Sequence, residues 1–295
     1  PLIRLRRIGR RFPDVAFYAK AEWFNPGGSV KDRAARGIVL DALETGKLTP
    51  QKTLIDSTSG NTGIAYAMLG AALGFAVELV MPANVSNERK AIVAAYGARL
   101  TLSSPYEGSD GAIREVRRLV AENPERYFYA DQYNNDSNWR AHYETTGPEL
   151  LRQTGGRLTH FLAGLGTSGT IMGAGRRLKE YDRGIQVIGV QPADPIDVIE
   201  GLKHMETAIV PGIFDPGLLD EKLLASTDEA YEVARMLARE EGMFLGQSCG
   251  AVMHAALRLA ERVRRGVFVM VFPDAGDKYI STSLWRPEDS IEYHV

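Results

Sequence analysis

Short apolar runs rich in β-branched residues alternate with helix-period segments along the whole chain, and this alternation limits the fold more than any other feature. Strands read over 15–20, 53–56, 76–81, 99–102, 159–163, 186–190 and 267–272. Helical patterns fall at 65–73, 87–96, 112–122, 172–180, 228–241 and 251–264. A short, continuously apolar strand set between helices is buried on both faces, so the pattern predicts an α/β fold of mostly parallel sheets flanked by helices. At 295 residues the chain lies near the size where a single core stops growing, roughly 250 to 300 residues. Two lobes are therefore expected. The polar run Gln132-Tyr133-Asn134-Asn135-Asp136-Ser137-Asn138 lacks periodicity and marks a lobe junction, there or slightly beyond. From Pro192 to Pro216 the residues Pro195, Gly201 and Pro211 interrupt the pattern and predict an irregular segment.

Composition narrows the partners. A net charge of −2, with 44% hydrophobic and 24% charged residues, offers no excess charge for nucleic acid or an anionic membrane. Small molecules are the default ligands. The single cysteine, Cys249, cannot form an internal disulfide, and no run approaches the ~20 apolar residues a membrane helix needs, so a reducing cytoplasm is expected. None of the five histidines stands at metal-ligand spacing from another or from Cys249, which predicts no metal. The chain begins at Pro1 with no signal-peptide pattern, as a processed or incomplete N-terminus would.

Four stretches carry candidate chemistry. The turn Asn25-Pro26-Gly27-Gly28 joins a strand to a helix for which Ser29 is the expected N-cap, with Ile38, Val39 and Leu43 on its apolar face. Lys31 then falls in the first helical turn, where the positive end of the helix dipole disfavours an ammonium and any burial lowers its pKa further. An imine-forming lysine needs that setting; the plainer alternative is a solvated lysine. Thr58-Ser59-Gly60-Asn61-Thr62-Gly63 leads from a strand into a helix and offers hydroxyls and backbone N–H groups to a carboxylate, or simply caps the helix. Gly164-Leu165-Gly166-Thr167-Ser168-Gly169-Thr170 has the same setting and suits a phosphate. Its glycines match the dinucleotide pattern G-x-G-x-x-G, but the next strand ends in Gln191 where an acidic ribose ligand is expected, which argues against NAD. No Gly-Lys-Ser or Gly-Lys-Thr is present for a nucleoside triphosphate, and no G-x-S-x-G for a serine hydrolase. The fourth stretch, Gly246-Gln247-Ser248-Cys249-Gly250, adds a hydroxyl, and its cysteine reads as a buried small hydrophobe. An imine lysine, a phosphate cup, a carboxylate loop and one further hydroxyl together match what pyridoxal 5'-phosphate requires.

Those segments resemble the cysteine synthase (O-acetylserine sulfhydrylase) family of fold type II pyridoxal-phosphate enzymes. Pro-Gly-Gly-Ser-Val-Lys-Asp-Arg at 26 to 33, Thr-Ser-Gly-Asn-Thr-Gly at 58 to 63, Thr-Thr-Gly-Pro-Glu at 145 to 149, Gly-Thr-Ser-Gly-Thr at 166 to 170 and the Gly246–Gly250 turn stand in the family's order. Met81-Pro82, Ser86, Glu88-Arg89, Tyr96-Gly97-Ala98 and 277–282 extend the likeness over almost the whole chain, and Pro211-Gly212-Ile213-Phe214 is similar to the cysteine synthase B branch. The resemblance implies a two-domain, tryptophan synthase β-like fold, with a smaller, mobile domain at 35–144 and a larger one formed by 1–34 and 145–295. It assigns cofactor attachment to Lys31 and the ring hydroxyl to Asn61. Gly166, Thr167, Ser168, Gly169 and Thr170 would hold the phosphate, and Ser248 the pyridine nitrogen. Thr58, Ser59, Thr62 and Gln132 would take the substrate carboxylate, with Gly201 and Lys203 at the entrance. Gln247 and Cys249 depart from the commoner Gly-Ile-Ser-Ser-Gly turn.

The activity so implied is β-substitution on an O-activated serine, O-acetylserine or O-phosphoserine, by sulfide or another sulfur donor, giving cysteine through α-aminoacrylate. A homodimer is implied too, and serine acetyltransferase or a sulfur carrier are conceivable partners. Lys203 could meet an anionic leaving group, which would make O-phosphoserine a donor. A serine or threonine dehydratase, or a cystathionine β-synthase core, is the nearest alternative; Thr167, Ser168 and Lys31-Asp32-Arg33 argue against the dehydratase. An NAD-dependent oxidoreductase and a non-catalytic regulatory protein of the same fold are the alternatives of other classes.

Overall fold

The computed structural model describes residues 1–58 and 60–285, so Ser59 lies outside the described residues. In chain order the elements are β1 (Leu2–Leu5), β2 (Val15–Ala21), α1 (Lys31–Glu44), β3 (Thr53–Ser57), α2 (Asn61–Leu73), β4 (Val77–Pro82), α3 (Asn87–Ala95) and β5 (Arg99–Ser103). Next come α4 (Gly108–Glu122), β6 (Tyr127–Tyr129), α5 (Asp136–Glu144), α6 (Thr146–Thr154), β7 (His160–Gly164), α7 (Gly169–Tyr181) and β8 (Gln186–Pro192). The chain finishes with β9 (Glu221–Ala225), α8 (Thr227–Glu241), α9 (Gln247–Ala260) and β10 (Gly266–Phe272). The expected α/β fold is present.

Two sheets form. One has six strands in the order β1-β2-β10-β7-β8-β9 and the other four in the order β5-β4-β3-β6. Every pairing is parallel except that of β1 with β2, which lies at a sheet edge. β2 comes from the start of the chain and β10 from its end, and Phe17 faces Phe268 across the pair with ring centroids 5.5 Å apart. Helix α9 is buried at nearly every position and packs on the six-stranded sheet, because its sequence is almost wholly small and apolar. The four-stranded sheet has its own core around Ile38, Leu54, Tyr66 and Leu79.

Three strands, β1, β6 and β9, are only four, three and five residues long, too short to show a clear period in the sequence, and β1 and β9 lie half-exposed. The stretch at 132–138 is only partly a loop. Asn135 accepts the Ser137 N–H at 3.0 Å and α5 starts at Asp136, so the polar run is in part a helix-capping sequence. Ser29 also differs from its expected role: the helix begins one residue later than an N-cap there would allow, with Val30 preceding it, while the Ser29 hydroxyl accepts the Lys31 N–H at 3.2 Å. Residues 193–215 hold no helix or strand, as the prolines and glycine predict.

Candidate active site

In open parallel sheets the loops after the strands gather at the carboxyl edge, and ligands bind in the crevice there. Here the loops after β3, β4, β5, β6, β7 and β8 bring residues of both sheets to one cavity of about 480 Å³. Its walls include Lys31, Thr58, Asn61, Thr62, Gln132, Gly166, Thr167, Gly201 and Lys203. A smaller recess continues from it past Lys31 and Asn61 to Ser168, Thr170 and Ser248. Apart from Ser59, every side chain that the sequence assigns to the site lines one or the other, and Gly169 contributes backbone at the start of α7.

Lys31 is the first residue of α1 and lies partly buried at the cavity floor. Burial lowers the pKa of its amine, Asp274 opposes that shift and Arg89 adds to it. The turn before it is fixed by Asp32, whose carboxylate accepts the Gly27 N–H at 2.6 Å. Arg33 locks the turn to the body of the fold, with forked contacts to Glu22 at 2.7 and 3.0 Å and to Glu149 at 2.8 and 2.8 Å. Lys20 also reaches Glu149, at 2.5 Å.

The loop expected to take a phosphate precedes α7. Ser168 sits in the left-handed region, φ 71°, and its buried hydroxyl has no partner among the described residues. A strained serine with an orphaned hydroxyl at a helix N-terminus marks an anion site. Asn138 donates to the Thr167 hydroxyl at 3.1 Å, and His142 Nε2 is 3.3 Å from the Thr170 hydroxyl. His142 Nδ1 is 2.9 Å from the Thr146 hydroxyl, and burial, with Arg33 and Lys31 adding, holds the imidazole pKa at about 3. The close approach at Gly166 requires glycine, since a Cβ there would stand 2.1 Å from the Gly201 carbonyl.

Ser248 is the second residue of α9 and turns into the recess. Beside it, the Gln247 amide bridges the Val198 carbonyl and the Glu200 N–H at 3.2 Å each, which ties the irregular segment to α9. Cys249 is buried, its thiol 3.4 Å from the Asp274 carbonyl, and burial pushes the thiol pKa up. It packs as a small hydrophobe.

In the carboxylate loop the Thr58 hydroxyl accepts from Gly60 N and Gly63 N at 3.0 and 3.1 Å and so shapes the turn. Thr62 donates to Gln132 at 2.7 Å, and Gln132 donates to the Ser57 carbonyl at 2.6 Å. Asn61 donates to Asp274 at 2.7 Å and accepts from Lys278 at 3.1 Å.

Several residues around the cavity had no role in the sequence reading. Asp274 is buried and also accepts the Tyr279 hydroxyl at 2.8 Å. Arg89, from α3, pairs with Glu200 and lies 4.5 Å from the Tyr279 ring. Asp274 stands just past β10, and an acidic residue at the carboxyl end of a buried strand is the signal that could have found it. Lys203 lines the cavity as expected, but its ammonium donates to Asp110 of α4 at 2.6 Å and lies 5.0 Å from the Tyr133 ring centroid.

A pyridoxal-phosphate dependent enzyme family model matches residues 1–274. Among curated proteins, the chain is similar to the cysteine synthase of Aquifex aeolicus, 56% identical over 295 residues, covering 98% of this chain and 90% of that protein. It is similar to cysteine synthase B of Salmonella typhimurium, 42% identical over 290 residues, covering 98% of this chain and 94% of that one. Among solved structures it is similar to the cysteine synthase (OASS) of Entamoeba histolytica, with a TM-score of 0.91, 35% identity and coverage of 99% and 89%.

Proposed function

On the premise that the chain belongs to the pyridoxal-phosphate dependent enzyme family, we propose that it is a cysteine synthase of the O-acetylserine sulfhydrylase type, replacing the β-substituent of an O-activated serine with sulfur. The observation that carries this reading is the convergence of Lys31, the orphaned Ser168 hydroxyl and Ser248 on one recess. That set suits pyridoxal 5'-phosphate: an amine for its aldehyde, a helix N-terminus for its phosphate and a neutral hydroxyl for its ring nitrogen. Bound pyridoxal phosphate supplies an electron sink that acidifies Cα of an attached amino acid and eases loss of its β-leaving group.

The chain's own residues do the rest. Lys31 Nζ, whose charged form burial disfavours, would hold the cofactor and is placed to take the proton from Cα of the substrate and to return it. Gly166, Thr167, Ser168, Gly169 and Thr170 anchor the phosphate. Asn61, which donates to Asp274 here, would hold the ring hydroxyl, and Ser248 would meet the ring nitrogen with a neutral hydroxyl that does not keep it protonated. Thr58, Ser59, Thr62 and Gln132 take the substrate carboxylate, and Gly201 borders the entrance beside Gly166. Residues 35–144 are read as a smaller domain that moves against 1–34 and 145–295, a division supported by the separate core of the four-stranded sheet.

The reading extends to a homodimer in a reducing cytoplasm, supported by family membership and by the buried, unpaired Cys249. Among the described residues no helix is long and apolar enough to cross a membrane.

Absorbance tests the proposal cheaply. The purified protein should carry a band near ~410 nm from lysine-bound cofactor and form cysteine from O-acetylserine and sulfide. Lys31→Ala should lose the band and at least about a thousandfold in kcat/KM while keeping its circular dichroism spectrum. A retained band or a smaller loss would remove Lys31 from this role.

A further inference from the structure

Four basic side chains line the larger cavity, Lys31, Arg89, Lys203 and His204, and four carboxylates line it with them, Glu107, Asp110, Asp197 and Glu200. None of the four is left, among the described residues, to meet a dianion. Arg89 is taken by Glu200, and His204 has Glu206 at 3.4 Å and the Thr207 hydroxyl at 2.9 Å. Lys31 is desolvated and reserved for the cofactor in the reading above. That leaves Lys203, whose backbone N–H is bonded to the Leu165 carbonyl at 2.7 Å, immediately before the phosphate loop. From there its side chain reaches the α4 side of the cavity, where Asp110 holds the ammonium at 2.6 Å.

Asp110 is itself well anchored. It lies in the first turn of α4, where the helix dipole favours a carboxylate, and its second oxygen accepts the Ile209 N–H at 2.8 Å. A phosphate arriving at this wall would meet the Asp110 charge at close range. To use Lys203 it would have to break the pair and leave the carboxylate without its cation, which is costlier than never having had the pair. A neutral ester carries no such penalty.

We propose that Asp110 is a specificity-determining residue: by occupying the Lys203 ammonium it excludes a phosphate leaving group and selects serine activated by a neutral O-acyl group over O-phosphoserine. The inference rests on the cysteine synthase reading and deepens it. Asp110 acts through Lys203 and touches no reacting atom, so its signature is a change in the ratio of the two donors rather than in turnover as such.

The test measures kcat/KM of the holoenzyme for O-acetylserine and O-phosphoserine with sulfide, together with competitive inhibition by inorganic phosphate. The wild type should favour O-acetylserine by at least about a hundredfold, and Asp110→Asn, which keeps the shape and an acceptor for Ile209 N, should shift the ratio toward O-phosphoserine by roughly ten- to a hundredfold. Phosphate should inhibit Asp110→Asn at least about fivefold more tightly. Adding Lys203→Met to Asp110→Asn should return both readouts to wild-type values, because neither charge is then left at this wall. A wild type that uses both donors equally, an Asp110→Asn ratio that does not move, or a shift that survives removal of Lys203 would each overturn the inference. Asp110→Ser, which also releases the ammonium, should shift the ratio in the same direction, and an unmoved ratio there overturns the inference without relying on Asp110→Asn folding. Failure of the wild type with both donors would instead strike the cysteine synthase reading, and this inference with it.

Discussion

Acid should undo the fold through His142 before it protonates most carboxylates. The imidazole is buried between the Thr146 and Thr170 hydroxyls at 2.9 and 3.3 Å, and its pKa of about 3 compares with 6.5 for a solvated histidine. Because the folded value is depressed, the unfolded chain binds the extra proton. Stability from this group is therefore complete above pH 6.5 and is lost as pH falls toward 3. Linkage gives a loss of about 1.4 kcal/mol at pH 5.5 and about 2 kcal/mol at pH 5, upper figures for a site that can relax. The assay is urea unfolding at pH 7, 6 and 5, followed by the fluorescence of Trp139, which stands on the same helix, for wild type and His142→Gln. His142→Gln should start lower at pH 7, because it disturbs both hydroxyl contacts, but lose about 2 kcal/mol less between pH 7 and 5. Equal acid sensitivity in the two proteins would refute the argument, since carboxylate titration is common to both. Through Thr170, His142→Gln should also release the cofactor faster on dilution.

Two further outcomes are expected. Arg33→Ala removes both forks at once and leaves Glu22, almost wholly buried, without its cation; a loss of about 3 to 5 kcal/mol should lower the melting midpoint by roughly 5 to 10 °C, with Arg33→Lys recovering less than half. Ser248→Asp should keep the ring nitrogen of the cofactor protonated and raise racemisation or transamination per cysteine formed, and unchanged partitioning would count against Ser248 facing the ring.

The α/β class and the longer strands were legible because burial on both faces of a parallel sheet writes continuous apolar runs into the sequence. Loops such as 58–63 and 164–170 were legible because each is local: strand end, turn and helix start fall within a few residues. Asp274, Arg89 and Asp110 were not, because each acquires its meaning from a partner far along the chain, Asn61, Glu200 and Lys203 in turn. His142 escaped for another reason. It lies just beyond a polar run that suggested a loop, and only the turn of α5 against α7 brings it to Thr170. Lys203 shows the limit of reading charge from sequence: its place at the cavity was foreseen, but the carboxylate that holds it was not.

The electrostatics of the site reduce to a division between backbone and side chains. Lys31, Asn61 and Gly169 are the first residues of α1, α2 and α7, and Ser248 is the second of α9, so four helix N-termini converge on one crevice. Each contributes roughly half a positive charge, fixed in the fold and costing no side-chain entropy. An anionic cofactor and a substrate carboxylate can be held by that field, so no arginine is needed in the phosphate loop itself. The same field acts in the direction of burial, against the charged form of the Lys31 amine, and does so without a further free cation that would compete for the anions. With attraction supplied by dipoles, the side-chain cations can be tied to carboxylates, Arg89 to Glu200 and Lys203 to Asp110, which leaves them to close the walls and discriminate among substrates rather than to bind the cofactor.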